Sequence, residues 1–417
     1  MAKQSRMQTL LIILMVLMPI LNQYQVFQLT FFEMFSTLVV FYGLIKNRGQ
    51  KLKIANRAYG FFSIYILMFS LIFSLRYVDL GFSSALMRFI KFTIVTVFIL
   101  SISTQILFDI ELIRKIYKYV LYIVSLILVI QLILYYFMGK PLYAIIPNLT
   151  LNYNDGMNSS VLIRNNLHAI TAGYYFRPSS VFLEPAHYAI FSIPGIVITL
   201  FTEKISRKDI VLSIFFTICS ILTTSSLALV GCAICWITFL LFRKDLWKKS
   251  WNKMILLVSA IIPLTGYFLI QQGGVLTSIN IKLASLANMS TASSTSMRLT
   301  RGISYYKQMD FISQIFGTGY GNLTSYYYKN GIYIIGDTGF QVSYMNGIST
   351  ILCSFGIIGV GIFIGFIVSS YKKGTQLTKS IIICLLTVMF GSDMFDSTFY
   401  YIFILLILGN NKYLKSE

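Results

Sequence analysis

The sequence predicts an all-α fold, a polytopic integral membrane protein with about twelve transmembrane helices and two long outer loops. Three observations predict it. Of the 417 residues, 56% are hydrophobic and 12% charged, at a mean hydropathy of +0.74, whereas a soluble domain carries roughly 25% charged residues. The apolar residues gather into runs near the ~20 residues that carry a helix across a bilayer. Basic residues fall on every second connection between those runs. Such a chain lacks the polar surface that water demands. Lipid accepts it, provided each backbone group is bonded inside a helix.

The first run, 7–23, follows Lys3 and Arg6 as a signal peptide would. It ends in Asn22-Gln23-Tyr24-Gln25 with no small-x-small cleavage site, so it reads as a retained span. Spans follow at 25–45, 59–78, 85–108 and 119–138, then the first long loop, 139–185. Next come spans at 186–202, 210–224, 226–242 and 254–270; the pair over 210–242 is short enough to be half-helices meeting at a bend. The second long loop, 271–346, precedes spans at 347–370, 380–392 and 396–410. Tyr, Ile, Phe and Leu recur through both long loops, so both are expected to fold against the outer surface as a cavity roof. No internal repeat relates the two halves, as one does in many transporters.

Orientation follows from charge. With the N-terminus inside, most of the 34 basic residues lie on inside segments: Lys3 and Arg6, then Lys46–Arg57, Arg114–Lys118, Lys204–Lys208, Arg243–Lys253, Lys372–Lys379 and Lys412–Lys415. That is the positive-inside pattern, and it puts both termini in the cytoplasm. The net charge of +20 is therefore spread over short segments rather than gathered in a nucleic-acid patch, and no nucleic-acid partner is expected. The five cysteines all fall in spans; Cys232-x-x-Cys235 has no ligand-bearing neighbour in sequence, so all five read as small helix residues. Four Asn-x-Ser/Thr sequons, at Asn148, Asn158, Asn288 and Asn322, read as chance in Asn/Ser/Thr-rich loops.

The most informative stretch is Arg177-Pro178-Ser179-Ser180-Val181-Phe182-Leu183-Glu184-Pro185-Ala186-His187-Tyr188, which ends the first long loop. Pro185 suits the first position of a helix. Glu184 then sits at the cap, where the positive end of the helix dipole suits an acid and disfavours an imidazolium at His187. The free N–H groups of such a helix start can receive an anion. The plainer reading makes Glu184 an N-cap and Arg177 its partner. The second long loop supplies Arg298 and Arg301, whose planar forks match phosphate oxygens. It also supplies Phe316-Gly317-Thr318-Gly319-Tyr320-Gly321-Asn322, which permits close backbone approach but is no Rossmann or phosphate-loop fingerprint. Arg76, Arg88 and Lys91 are further outer bases. Glu33 lies inside a span, as a functional candidate or as a structural partner of Arg88 or Lys91.

These segments, with Leu222-Thr223-Thr224-Ser225-Ser226 between two short spans, resemble the bacterial Wzy-type polymerases of O-antigen (lipopolysaccharide), capsule and exopolysaccharide repeat units, kin to O-antigen ligases. The resemblance implies a GT-C-like membrane glycosyltransferase of the cytoplasmic (inner) membrane. Its donor would be a growing glycan on undecaprenyl pyrophosphate and its acceptor a single repeat unit on the same carrier, joined at the outer leaflet beside a flippase and a chain-length regulator. Arg177, Arg298 and Arg301, with Arg88 and Lys91, would neutralise the pyrophosphate. Glu184, with His187 second, would be the base. No cofactor is expected. The outer side has no Asp-x-Asp pair, so a metal-independent reaction is expected too. Ligases of this kin use a histidine in the second long loop, and none follows His187 here. A ligase and a lipid-linked oligosaccharide flippase are the alternatives.

Overall fold

The computed structural model describes residues 6–26, 29–46, 56–76, 89–90, 93–94, 96, 110–152, 159–171, 176–202, 205–243, 294–332, 345–395 and 397–409. The described chain is mostly helical and divides into two compact units. One comprises Val16–Thr30 and Glu111–Met289. The other comprises Met1–Met15, Phe31–Ile110 and Ser290–Glu417. The spans expected at 85–108 and 254–270 lie largely or wholly outside the described residues, as do Asn158, Asn288 and the basic segments Lys244–Lys253 and Lys412–Lys415.

Near the N-terminus, α1 (Arg6–Leu21) and α2 (Phe31–Lys46) flank two short strands, β1 (Tyr24–Val26) and β2 (Leu29–Thr30). The second expected span therefore starts six residues later than its apolar run, because Tyr24 and Gln25 pair with β3 (Thr150–Leu151) and Gln25 and Val26 with β2.

The unit that contains β1 also holds α4 (Ile110–Met138), α5 (Ser159–Thr171), α6 (Pro185–Leu200), α7 (Arg207–Leu222) and α8 (Ser226–Phe242). α6 is its centre. Every residue from Tyr188 to Leu200 is buried, as an all-round apolar helix requires. Small residues let its neighbours close in: a Cβ on Gly195 would lie 2.4 Å from Leu121 Cδ2 of α4, and one on Gly231 of α8 2.3 Å from Ile193 Cδ1. Hydroxyls tie the helices where apolar contact gives no direction. Tyr117 Oη donates to the Phe191 carbonyl at 2.7 Å, Ser125 Oγ meets Tyr188 Oη at 2.8 Å, and Ser192 Oγ meets Ser220 Oγ at 2.6 Å.

α7 and α8 are an antiparallel hairpin rather than two half-helices at a bend, with Trp236 Nε1 donating to Thr217 Oγ1 at 3.0 Å. Helix α4 has two faces at helical spacing. Ile113, Tyr117, Leu121, Val124 and Leu128 are buried; Tyr119, Ile123, Leu126, Ile130, Ile133 and Phe137 are exposed. The exposed stripe runs about 27 Å.

The unit has a basic end. Arg114 pairs with Glu111 and reaches the Phe201 carbonyl, Arg243 Nη1 donates to the Thr202 carbonyl at 2.7 Å, and Lys118 Nζ meets Asp209 Oδ1 at 2.7 Å. These cations sit where α4 and α7 begin and α6 and α8 end. The opposite end carries the start of α6 and the α7–α8 turn.

In the other unit, α3 (Arg57–Leu75) packs on α12 (Gly347–Lys373), with Tyr59 against Phe366 and Phe62 against Phe363. Asn56 caps α3 by accepting from Ala58 and Tyr59 N–H, and its amide donates to Ser370 Oγ at 3.0 Å. Three short helices, α9 (Ser294–Lys307), α10 (Phe311–Phe316) and α11 (Leu323–Lys329), pack a cluster of Tyr305, Met309, Leu323, Tyr326, Tyr327, Met345 and Cys353. Two apolar helices close the fold, α13 (Gln376–Gly391) and α14 (Thr398–Gly409).

Among the described residues, two helices, Glu111–Met138 and Gly347–Lys373, are long and apolar enough to cross a membrane; α1, α3, α6, α8, α13 and α14 contribute shorter apolar stretches. All five cysteines are buried thiols, none of them in a disulfide. Asn322 is also buried, which closes its sequon to a glycan.

Candidate functional site

The stretch from Arg177 to Tyr188 is held from several directions. Phe176 is buried between Tyr135, at 4.8 Å between ring centroids, and Tyr143, at 5.8 Å. Burial, and then the neighbouring Tyr135, push the Tyr143 phenol up to about 12, so it packs as a neutral ring. Behind Phe176, Arg177 turns onto the α7–α8 turn: its Nε donates to Thr224 Oγ1 at 2.9 Å and its Nη2 reaches the Thr224 carbonyl at 3.5 Å.

Two buried amides fix the backbone that follows. Gln131 of α4 accepts from Ser180 N–H at 2.8 Å and donates to the Ser180 carbonyl at 2.9 Å, while Ser180 Oγ donates to the Val124 carbonyl at 2.6 Å. Gln23 accepts from Leu183 N–H at 2.7 Å and donates to the Val181 carbonyl at 3.2 Å. Gln131 satisfies two buried backbone groups and Gln23 one buried and one part-buried group; each buried one would otherwise carry a desolvation cost of about 1–3 kcal/mol.

The clamp holds a backbone that would not choose its own shape. Ser180 and Thr224 both have φ +56°, in the left-handed region, where a residue with a Cβ carries roughly 1–2 kcal/mol. Strain of this kind gathers at functional sites when the surroundings over-determine it, and here both strained residues flank Arg177.

Glu184 stands at the N-cap of α6 with extended φ/ψ, Pro185 follows at the first helical position, and the His187 N–H donates to the Glu184 carbonyl at 3.0 Å. The Glu184 side chain does not cap the helix, so the plain N-cap reading does not account for an acid here. Glu184 and His187 are both half-buried. The unit thus gathers a clamped arginine, a strained hydroxyl-rich turn and a helix start bearing a carboxylate and an imidazole at the end opposite its basic cluster.

Arg298 and Arg301 belong to the other unit. They lie one turn apart on α9 and are half-buried. Arg298 Nη1 donates to the Gly391 carbonyl at the end of α13 at 3.2 Å, and Asn346, the N-cap of α12, donates to the Arg298 carbonyl at 2.9 Å. Arg298 therefore sits where α12 starts and α13 stops. Arg88 and Lys91 lie outside the described residues. Glu33 is buried in the first turn of α2, its carbonyl accepting from Ser36 Oγ and Thr37 Oγ1.

The glycine run has a different use from anion binding. Gly317 N–H donates to the Ser313 carbonyl at 2.8 Å, Thr318 N–H to Cys353 at 3.1 Å and Gly319 N–H to Ser354 at 2.8 Å. The Gly317 amide is engaged within α10 and the Thr318 and Gly319 amides on α12, so these three do not form a phosphate cradle.

Arg177, Glu184 and His187 stand out in the sequence, whereas Gln23 and Gln131 emerge from their contacts in the fold. Gln131 carried a signal: an amide in the middle of a strongly apolar run, where a polar group needs a partner.

Compared with known proteins, the chain matches no protein-family model and no curated relative.

Proposed function

We propose that this protein joins undecaprenyl-pyrophosphate-linked oligosaccharide repeat units into a surface polysaccharide, as a multi-pass enzyme of the bacterial cytoplasmic membrane. The observation that carries the reading is Arg177, anchored on the α7–α8 turn at the Glu184–His187 end of its helix bundle, away from the basic end. Lysine and arginine collect on the cytoplasmic side of spans, so the Arg177 end faces the outer leaflet. About twelve spans with both termini inside complete the topology.

In the reaction, a hydroxyl of the acceptor repeat unit attacks the anomeric carbon of the donor sugar. The new C–O bond forms as the bond from that carbon to the pyrophosphate oxygen breaks, and the pyrophosphate leaves on its lipid with the electron pair. Glu184 takes the hydroxyl proton, with His187 beside it in the first turn of α6 as the second proton carrier. Arg177 stabilises the charge that grows on the leaving group, a role that depends on donors fixed in advance. The Thr224 contacts fix Arg177. The polyprenyl chains stay in the hydrocarbon, where each buried methylene adds ~0.8 kcal/mol. A flippase supplies substrate, and a chain-length regulator stops growth.

The test is genetic. Arg177→Ala and Glu184→Gln, each at wild-type protein level, are expected to leave surface glycan carrying single repeat units. Wild-type chain lengths from both would overturn the reading. A deletion strain that still makes long chains on the carrier but transfers none would point to a ligase instead.

A further inference from the structure

We infer that residues 311–322 form a re-entrant element in which α10 and the glycine turn behind it descend beside α3 and α12 into the hydrocarbon and present one face of α10 to lipid acyl chains. The inference rests on the proposal that α3 and α12 cross the membrane; it adds a segment between spans that enters the bilayer without crossing it.

The depth can be read on two rulers. Along α3, Lys329 Nζ donates to the Arg76 carbonyl just past the helix end, Tyr320 N–H donates to Ser70 Oγ at 3.2 Å, and Phe316 stacks on Phe69 at 5.5 Å. Tyr65 Oη lies 3.5 Å from the Phe316 carbonyl. From Arg76 back to Phe69 or Tyr65 is about 10–16 Å at 1.5 Å per residue. Along α12, whose first residue is Gly347, the contact falls at Gly356, about 14 Å down the helix. Both rulers reach the middle of a hydrocarbon layer about 30 Å thick. The chain then climbs through α11 to Lys329.

The bonding of this segment suits that depth. An irregular backbone inside lipid must have its polar groups satisfied by protein. Here α12 breaks at Gly356, with φ +65° and ψ −171°. The Cys353 and Ser354 carbonyls receive Thr318 and Gly319 N–H, and the Phe355 carbonyl receives Tyr65 Oη at 3.0 Å. The two backbones meet so closely that a Cβ on Gly317 would lie 2.2 Å from the Ser354 oxygen, and one on Gly356 2.1 Å from the Ile315 oxygen. A loop lying in water has no need of such accounting. Meanwhile α10 turns apolar side chains outward: Phe311 is 74% and Ile312 58% exposed, with Ile315 partly exposed one turn on. Met68, on the exposed face of α3, is a reference at similar depth.

Single cysteines at Ile312, Ile315 and Met68, carrying a nitroxide in the full-length protein reconstituted in phosphatidylcholine–phosphatidylglycerol vesicles, test the inference by collision with oxygen and with a water-soluble nickel chelate. Labels at Ile312→Cys and Ile315→Cys are expected to match Met68→Cys in favouring oxygen, with Ile315→Cys the deeper of the two. A Met68→Cys label in lipid, with both α10 labels open to nickel, would overturn the re-entrant element while leaving the spans standing. A Met68→Cys label open to nickel would overturn the span reading for α3, and the re-entrant element with it.

Discussion

At the scale of single residues, Arg177 and the groups that hold it are central to the proposed chemistry. Its guanidinium is bonded to a side-chain and a backbone oxygen of one threonine, and a lysine cannot reproduce that two-point contact. Arg177→Lys is therefore expected to keep the fold and lose about 10²–10³-fold in turnover, in the range for removal of one charge-stabilising donor; single-turnover rates on reconstituted protein check this. Gln131→Ala acts differently. It strands Ser180 N–H and the Ser180 carbonyl, both buried, and is expected to cost about 2–4 kcal/mol, read as a lower melting temperature in detergent. Pro185, Glu184 and the arginines were legible because each announces itself locally, by helix-start chemistry or by charge in an apolar chain. Gln23 and the bond between Arg177 and Thr224 were not, because they join residues 160 and 47 positions apart in sequence, which no local pattern encodes.

At the scale of elements, helix ends carry the testable chemistry. α7 opens with a capping box in which Ser206 and Asp209 exchange bonds, and Lys118 of α4 joins Asp209 at 2.7 Å. Burial alone would raise the Asp209 carboxyl, but hydrogen bonds from Lys118 and Ser206 outweigh it and hold the group below its usual value of 3.8. A depressed folded value means that the carboxylate stabilises the fold fully above about pH 4 and loses that contribution as pH falls through the folded value. Melting temperature should therefore fall on acidification below pH 4, with a shallower fall in Asp209→Asn; identical acid profiles would contradict the assignment.

The broken helix gives a second prediction at this scale. Gly356→Ala puts a Cβ against the Ile315 carbonyl in a left-handed backbone, so a loss of at least 2–3 kcal/mol is expected, whereas Gly361→Ala, with open space around its Cβ, should be near neutral. The run at 226–242 matched its helix because apolar length and the polar Thr-Thr-Ser-Ser turn agree there. α2 began later than its run because a strand pairing overrode hydropathy. The helices of the second long loop went unseen because their tyrosine-rich sequence has neither a span's uniform apolarity nor a loop's polarity.

At the scale of the whole molecule, the governing pattern is the segregation of charge and strain. In the unit built around α6, Arg114, Lys118 and Arg243 bind helix ends on one side, while Arg177, Thr224, Ser180 and Glu184 gather on the other. The alternation of basic loops in the sequence anticipated which end each residue occupies within this unit, since antiparallel helices turn alternate loops to opposite ends. It said nothing of how the Arg177 stretch is clamped, which depends on tertiary contacts. The most direct measurement of the central claim is made on purified protein in vesicles supplied with a synthetic undecaprenyl-pyrophosphate-linked repeat unit. The expected result is a ladder of products, each one repeat longer, with release of undecaprenyl pyrophosphate and loss of both in Arg177→Ala. Movement of the lipid-linked unit between leaflets with no new glycosidic bond would contradict it.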